Sequence, residues 1–302
     1  MRFLTFQPAD GPSQAPAAGI LTPDGERVVD LSHPSCAALL GGTPPSVMAF
    51  VTQGLAGWVQ RLGDARFDGD ALRPLAGLRL LAPLRPGKVA GAAFNFTDAL
   101  AERSMAHPAE PVTFFRSGST VVGPDEPILI PPDVGHVGYE AELAVVIGRR
   151  ALRVGRDQAM RHVAGYTLHN DVSGSSLIQG DGGNFVRGKN LPASAPLGPW
   201  LVSADELPDP YRVGIRLDID GRLLQDGSTA TMLFDIAALI SYISHRWPLE
   251  PGDVIATGTP AGVAAMHRPE AWLRPGGRVT LTLDGLGTLS NPIAAGAPFL
   301  DH

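Results

Sequence analysis

"GYEAELAVVIG", residues 138–148, reads as a deeply apolar strand with two acids at its mouth. In a strand, residues two apart point to the same face. Glu140 and Glu142 therefore share a face with Ala144 and Val146, while Ala141, Leu143, Val145 and Ile147 take the other. Two like charges on one buried face repel and are costly to desolvate. A positive partner between them is the physical expectation. The plainer alternative is an edge strand whose acids face water, a common arrangement. The strongly apolar continuation favours a site.

A third acid closes a second apolar run, "GYTLHND", residues 165–171, which ends on Asp171. If the two strands are neighbours in one sheet, Glu140, Glu142 and Asp171 converge. Three carboxylates in a low-dielectric cleft form a hard, oxygen-only donor set that suits Mg²⁺, Mn²⁺ or Ca²⁺ rather than zinc. Coordination positions left over would take water and substrate oxygens.

The rest of the chain bounds the surroundings. With 302 residues and 44% hydrophobic content it can bury a substantial core. Twenty-four basic against 30 acidic residues give a net charge of −6, which argues against nucleic acid or an anionic membrane as partner. A lone cysteine, Cys36, excludes an internal disulfide and fits a reducing cytoplasm. No apolar run approaches membrane-spanning length. A GxSxG elbow, HExxH and CxxC are all missing, which disfavours serine and zinc hydrolysis.

Abundant glycine and proline (36 and 28) favour short strands and tight turns over a helical bundle. Residues 1–84 read as a small α+β domain: strands at "RFLTF" and "AGILTPDGERVVDL", then a helix at "PPSVMAFVTQGLAGWVQRL". Residues 85–302 form the main, mostly β domain. Asp220-Gly221 and Asp284-Gly285 mark two of its hairpin turns. Helices are expected at 155–165 and 231–247. "GDGGN", 180–184, reads as a mobile loop, and "GKN", 188–190, lacks the spacing of a phosphate loop.

Five blocks in order, "GYEAELAVVIGRRA", "GYTLHNDVSGSSL", "GKNLPASAPLGPWLV", "LLQDGSTATMLFDIAALISYIS" and "LEPGDVIATGTPAGV", resemble the fumarylacetoacetate hydrolase (FAH) superfamily. The likeness covers about 86–292 and leans to the 2-hydroxyhepta-2,4-diene-1,7-dioate isomerase and acylpyruvase-like branch. It implies an α+β, mostly β fold: a mixed β-roll catalytic domain behind the small N-terminal one, commonly a homodimer. It also implies a divalent metal, and a 2-oxo acid or 1,3-dicarbonyl as substrate. The reactions are C–C hydrolysis, decarboxylation or enol–keto isomerisation. By position, Glu140, Glu142 and Asp171 match the metal triad and Lys189 the active-site lysine. Thr259 matches a substrate-carboxylate contact, and Gln225 falls in a block that often lines the site.

The departures matter as much. Hydrolases of the family carry "GxNYxxHxxE", in which a His–Glu pair activates water. Here the stretch is "GAAFNFTDALAE", 91–102: Asn95 and Glu102 are in place, but Ala99 stands where the histidine belongs. An alanine takes no proton, and losing such a base commonly costs about 10² to 10⁴ in rate. Glu102 alone, or His107, His136 or His169, would have to substitute. Arg116 replaces the usual lysine of a second block and still offers a cation for a carboxylate. Ser175 stands where an arginine often follows the metal aspartate. The leading expectation is an active metal-dependent enzyme. The alternative is a metal- or ligand-binding protein that kept the fold and lost the His–Glu pair.

Overall fold

The computed structural model describes residues 1–9 and 15–300. Its first part supplies strands β1 (Arg2–Pro8), β2 (Ala17–Leu21) and β3 (Arg27–Asp30) and helix α1 (Val47–Gly63). Then come β4 (Lys88–Ala93), the short helix α2 (Thr97–Glu102) and β5 (Val112–Ser117). The central pair is β6 (Ala141–Ile147) and β7 (Val163–Asn170), followed by α3 (Ser175–Gly180) and α4 (Phe185–Gly188). Strands β8 (Ala195–Ser203), β9 (Gly214–Ile219) and β10 (Arg222–Ser228) precede helix α5 (Ile236–Ser244). Three more strands follow it: β11 (Val254–Ala256), β12 (Arg278–Leu283) and β13 (Gly287–Ala295).

One mixed sheet runs β3-β2-β1-β8-β7-β6-β11-β4-β5, with β11 and β4 parallel. A second runs β10-β9-β12-β13 and ends on Ile128–Ile130, parallel to β13. The fold is α+β and mostly β, as the sequence implies. The β9–β10 turn falls at Asp220-Gly221, where both residues are left-handed (φ 52° and 80°), the twist a tight hairpin requires.

All seven residues of β6 are buried. Its odd residues, Ala141 to Ile147, enter one core with Tyr139, Leu168 and Leu281. Ala144 and Val146 enter another with Phe3, Phe50, Trp58 and Leu201, so α1 and β1 cover that second face. A strand packed on both sides must be apolar throughout, which explains its composition and makes any acid in it expensive.

Two helices are shorter than expected. At 155–165 the helix spans only Arg156–Ala159, with a 3₁₀ turn over Met160–His162. From Val163 the chain is claimed by pairing with β6, whose two-faced burial outweighs local helical preference. At 231–247 the helix begins at Ile236, because the Asp235 carboxylate accepts from the Ala238 N–H at 2.8 Å and fixes the N-cap there. Two strands carry no readable alternation, β4 and β5. Gly91 lies under the Phe114 ring, which a Cβ there would approach to 2.1 Å, so glycine lets the ring cross the strand. No helix among the described residues is long and apolar enough to cross a membrane.

Because β6 is the shared wall of two cores, Leu143→Ala is expected to destabilise the protein by about 2–5 kcal/mol in equilibrium denaturation. Leu152→Ala, at an exposed position, should stay within about 0.5 kcal/mol. Equal effects would contradict the packing described.

Candidate metal and active site

Antiparallel pairing sets the start of β6 beside the end of β7: Ala141 faces Asn170 and Glu142 faces His169. One rung further, the Asp171 N–H donates to the Glu140 carbonyl at 2.9 Å, and Asn170 Oδ1 accepts from the Glu140 N–H at 3.1 Å. Backbone register alone thus brings the three acids together. One oxygen from each of Glu140, Glu142 and Asp171 lies within 4.8 Å of the others. Glu140 is half-buried, and the other two are almost wholly inside.

The cation between them is Lys189, at the C-terminal end of α4 and 3% exposed. Its Nζ donates to Glu140 Oε2 at 2.7 Å and Asp171 Oδ2 at 2.5 Å, and lies 4.8 Å from the centre of the Phe114 ring. Burial alone would push the ammonium's pKa down, but Asp171 and Glu140 outweigh it and hold the group above its usual range. A second cation supports Asp171 from behind. Arg116, 1% exposed, donates to Asp171 Oδ1, to the Val172 carbonyl at 2.6 Å, and to Ser194 O and Oγ at 2.5 and 2.9 Å. Burial works against ionisation of Asp171, yet Lys189 and Arg116 hold its carboxyl well below the usual range.

Glu142 has no such partner. It accepts one hydrogen bond, from the Gly258 N–H at 3.1 Å. Burial, then the charges of Asp171 and Glu140, push its carboxyl well above the ordinary value, and Lys189 offsets this only in part. Three carboxylates thus face two buried cations, with the deficit concentrated on Glu142. An oxygen-only donor set with one uncompensated buried acid fits a hard divalent ion. Glu140, Glu142 and Asp171 are the residues that would hold it.

The "TGTP" segment after β11 passes across the mouth of β6. Thr257 Oγ1 donates to the Leu143 carbonyl (2.8 Å) and Thr259 Oγ1 to the Ala141 carbonyl (2.9 Å). Gly258 adopts φ 96°, and a Cβ there would lie 2.9 Å from the Ala92 carbonyl, so glycine is required. Gln225, on β10 and buried, donates to Thr259 Oγ1 (2.8 Å) and accepts from the Ala141 N–H (2.9 Å). It locks Thr259 to the strand.

A cavity of about 270 Å³ opens over the cluster. Of the residues singled out from sequence, Glu140, Glu142, Lys189 and Thr259 line it. Arg116 and Gln225 stand behind it, committed to Asp171 and Thr259. Asn95 is buried away from the wall, its amide bonded to the Phe234 and Thr257 carbonyls and the Phe234 N–H. Glu102 is exposed and accepts from the Gly262 N–H at 2.9 Å. Ala99 does line the cavity, beside Phe94, Arg103, Ser173 and Ser175.

None of the three histidines fills the gap at 99. His107 is exposed. His136 stacks on Trp272 with centroids 4.7 Å apart, in a neighbouring cavity. His169 is fully buried, its Nδ1 2.9 Å from the Pro196 carbonyl and its Nε2 3.9 Å from Asp171. Burial lowers its pKa to about 4 despite Asp171, so it is neutral at pH 7. Sequence reasoning missed Arg103, Phe94 and Gly258. Only Gly258, within the "TGTP" block, left a readable trace.

This geometry has relatives. The family model described as "Fumarylacetoacetate (FAA) hydrolase C-terminal" matches residues 88–294. A mitochondrial oxaloacetate tautomerase of Xenopus laevis is 36% identical over 295 residues, covering 97% of this chain and 90% of that protein. Among solved structures, the 2-hydroxyhepta-2,4-diene-1,7-dioate isomerase of Mycobacterium marinum superposes with a TM-score of 0.73 at 32% identity, over 98% of each chain. The maleylpyruvate hydrolase of Sphingobium sp. SYK-6, solved with manganese(II) and pyruvate, gives 0.76 at 26% identity, over 98% of this chain and all of that one. With the model spanning most of its length and a relative aligned nearly end to end, the chain belongs to the fumarylacetoacetate hydrolase superfamily.

Proposed function

We propose that this protein is a divalent-metal-dependent enzyme that interconverts the enol and keto forms of a 2-oxo acid, rather than one that hydrolyses a C–C bond. The observation that carries the reading is Ala99: a methyl group lies in the cavity wall at 6% exposure, at the position where the sequence resemblance implies a hydrolase's base. The name of the Xenopus relative points the same way. Hydrolysis needs a group that activates water, whereas tautomerisation moves one proton between carbon and oxygen. Working in a reducing cytoplasm, and as a homodimer, belongs to the same reading.

Mg²⁺, Mn²⁺ or Ca²⁺ held by Glu140, Glu142 and Asp171 would supply Lewis-acid stabilisation of the charge that develops on the 2-oxo oxygen. The chain's own groups do the rest. Lys189 stays protonated and presents its charge to an enolate forming beside it. The Thr259 N–H, which donates to nothing among the described residues, is offered to the substrate's carboxylate. Gln225 keeps that residue in place. Phe114 and Phe185, 5.0 Å apart, exclude water from the wall.

The reading is tested by following the ultraviolet absorbance of enol-oxaloacetate with Mg²⁺ or Mn²⁺ present. Wild type should accelerate its loss while leaving acylpyruvates uncleaved. Metal uptake with no turnover of any 2-oxo acid would instead mark a binding protein. Glu142→Gln should weaken Mn²⁺ binding by roughly 10–100-fold or more in calorimetry, and lower turnover with it. Ala99→His, which restores the missing base, should raise acylpyruvate hydrolysis by about 10²-fold or more. Efficient hydrolysis already present in wild type would sink the proposal.

A further inference from the structure

Beside the cavity over the carboxylates lies a second of about 550 Å³, and the two share Arg103, Glu140, Ser173, Ser175 and Gln179 as wall. They form one cleft that continues well past the carboxylate cluster. Of the cations on its wall, Lys189 is committed to Glu140 and Asp171. Arg116, behind the wall, is spent on Asp171 and main-chain oxygens. Ser175, on the shared wall, brings a hydroxyl and no charge.

Arg103 is different. It terminates α2, its N–H donating to the Ala99 carbonyl at 3.3 Å, so the helix that carries the alanine also aims this side chain. Among the described residues its guanidinium makes no ion pair or hydrogen bond; its contact is with the face of Phe94, 6.0 Å from the ring centre. Phe94 has φ 59°, a conformation that costs a bulky residue about 1–2 kcal/mol. That strain sets an aromatic ring on the cavity wall under a free cation.

We propose that Arg103 binds the distal carboxylate of a dicarboxylic 2-oxo acid, the end remote from the keto group. The assignment rests on the 2-oxo acid reading above and narrows the substrate class. The guanidinium fork pairs with a carboxylate through two parallel N–H donors.

Binding tests this without relying on turnover. Calorimetry on the Mg²⁺-loaded protein compares 2-oxoglutarate with 2-oxobutyrate, which share the keto-acid end and differ in the distal carboxylate. Wild type should prefer 2-oxoglutarate by roughly 10–100-fold, the value of a charged hydrogen-bonded pair. Arg103→Gln should bring that ratio to about one, and Arg103→Lys should restore part of it. A wild-type ratio near one, or one that persists in Arg103→Gln, overturns the assignment while oxaloacetate turnover still upholds the 2-oxo acid reading. If Mg²⁺ binds but neither acid does, both fall together.

Discussion

The interior of this protein is organised around negative charge that cannot escape to water. Antiparallel register forces Glu140, Glu142 and Asp171 to within 4.8 Å. Left alone, such a cluster would protonate or splay. Lys189 and Arg116 prevent both at Asp171, each at most 3% exposed and each bonded to it. The compensation is uneven: Asp171 takes two cations, Glu140 one, Glu142 none. That asymmetry makes the site a receptor for further positive charge rather than a closed ion-pair network. His169, buried beside Asp171 and kept neutral by that burial, adds nothing to the balance.

Much of this was legible in the sequence because charge in an apolar strand is a strong anomaly. "YEAELAVVIG" and "GYTLHND" announced the triad, and the demand for a cation between the acids is met by Lys189. What stayed hidden depends on contacts between distant segments. Arg116 reads as a cation for a substrate carboxylate, and only β5 crossing toward Ser194 and Asp171 shows that its donors go to the protein's own oxygens. Asn95 and Gln225 read as site residues, yet their amides are consumed by main chain and by Thr259. Strands β4 and β5 escaped notice because Gly91 and Phe114 trade a regular face for a ring laid across a glycine. The curtailed helices at 156 and 236 show sheet pairing and a single cap overriding local preference.

The costly and the adjustable parts of the site are built differently. The carboxylates and their cations hang on β6, β7 and α4, through backbone register and buried hydrogen bonds that tolerate little change. Ala99, Arg103 and Ser175 sit on short helices at the cleft's rim. Of these, Ala99 and Ser175 touch none of the bonds that hold the cluster together, and Arg103 has a free guanidinium. A substitution there alters what reaches the clustered acids without breaking the hydrogen bonds that hold them. On the reading proposed above, the alanine on α2 decides which reaction is open, and the cation one turn further on decides which acid is held. The chemistry of the centre is thus set by the sheet, and its selectivity by the few side chains the sheet leaves unconstrained.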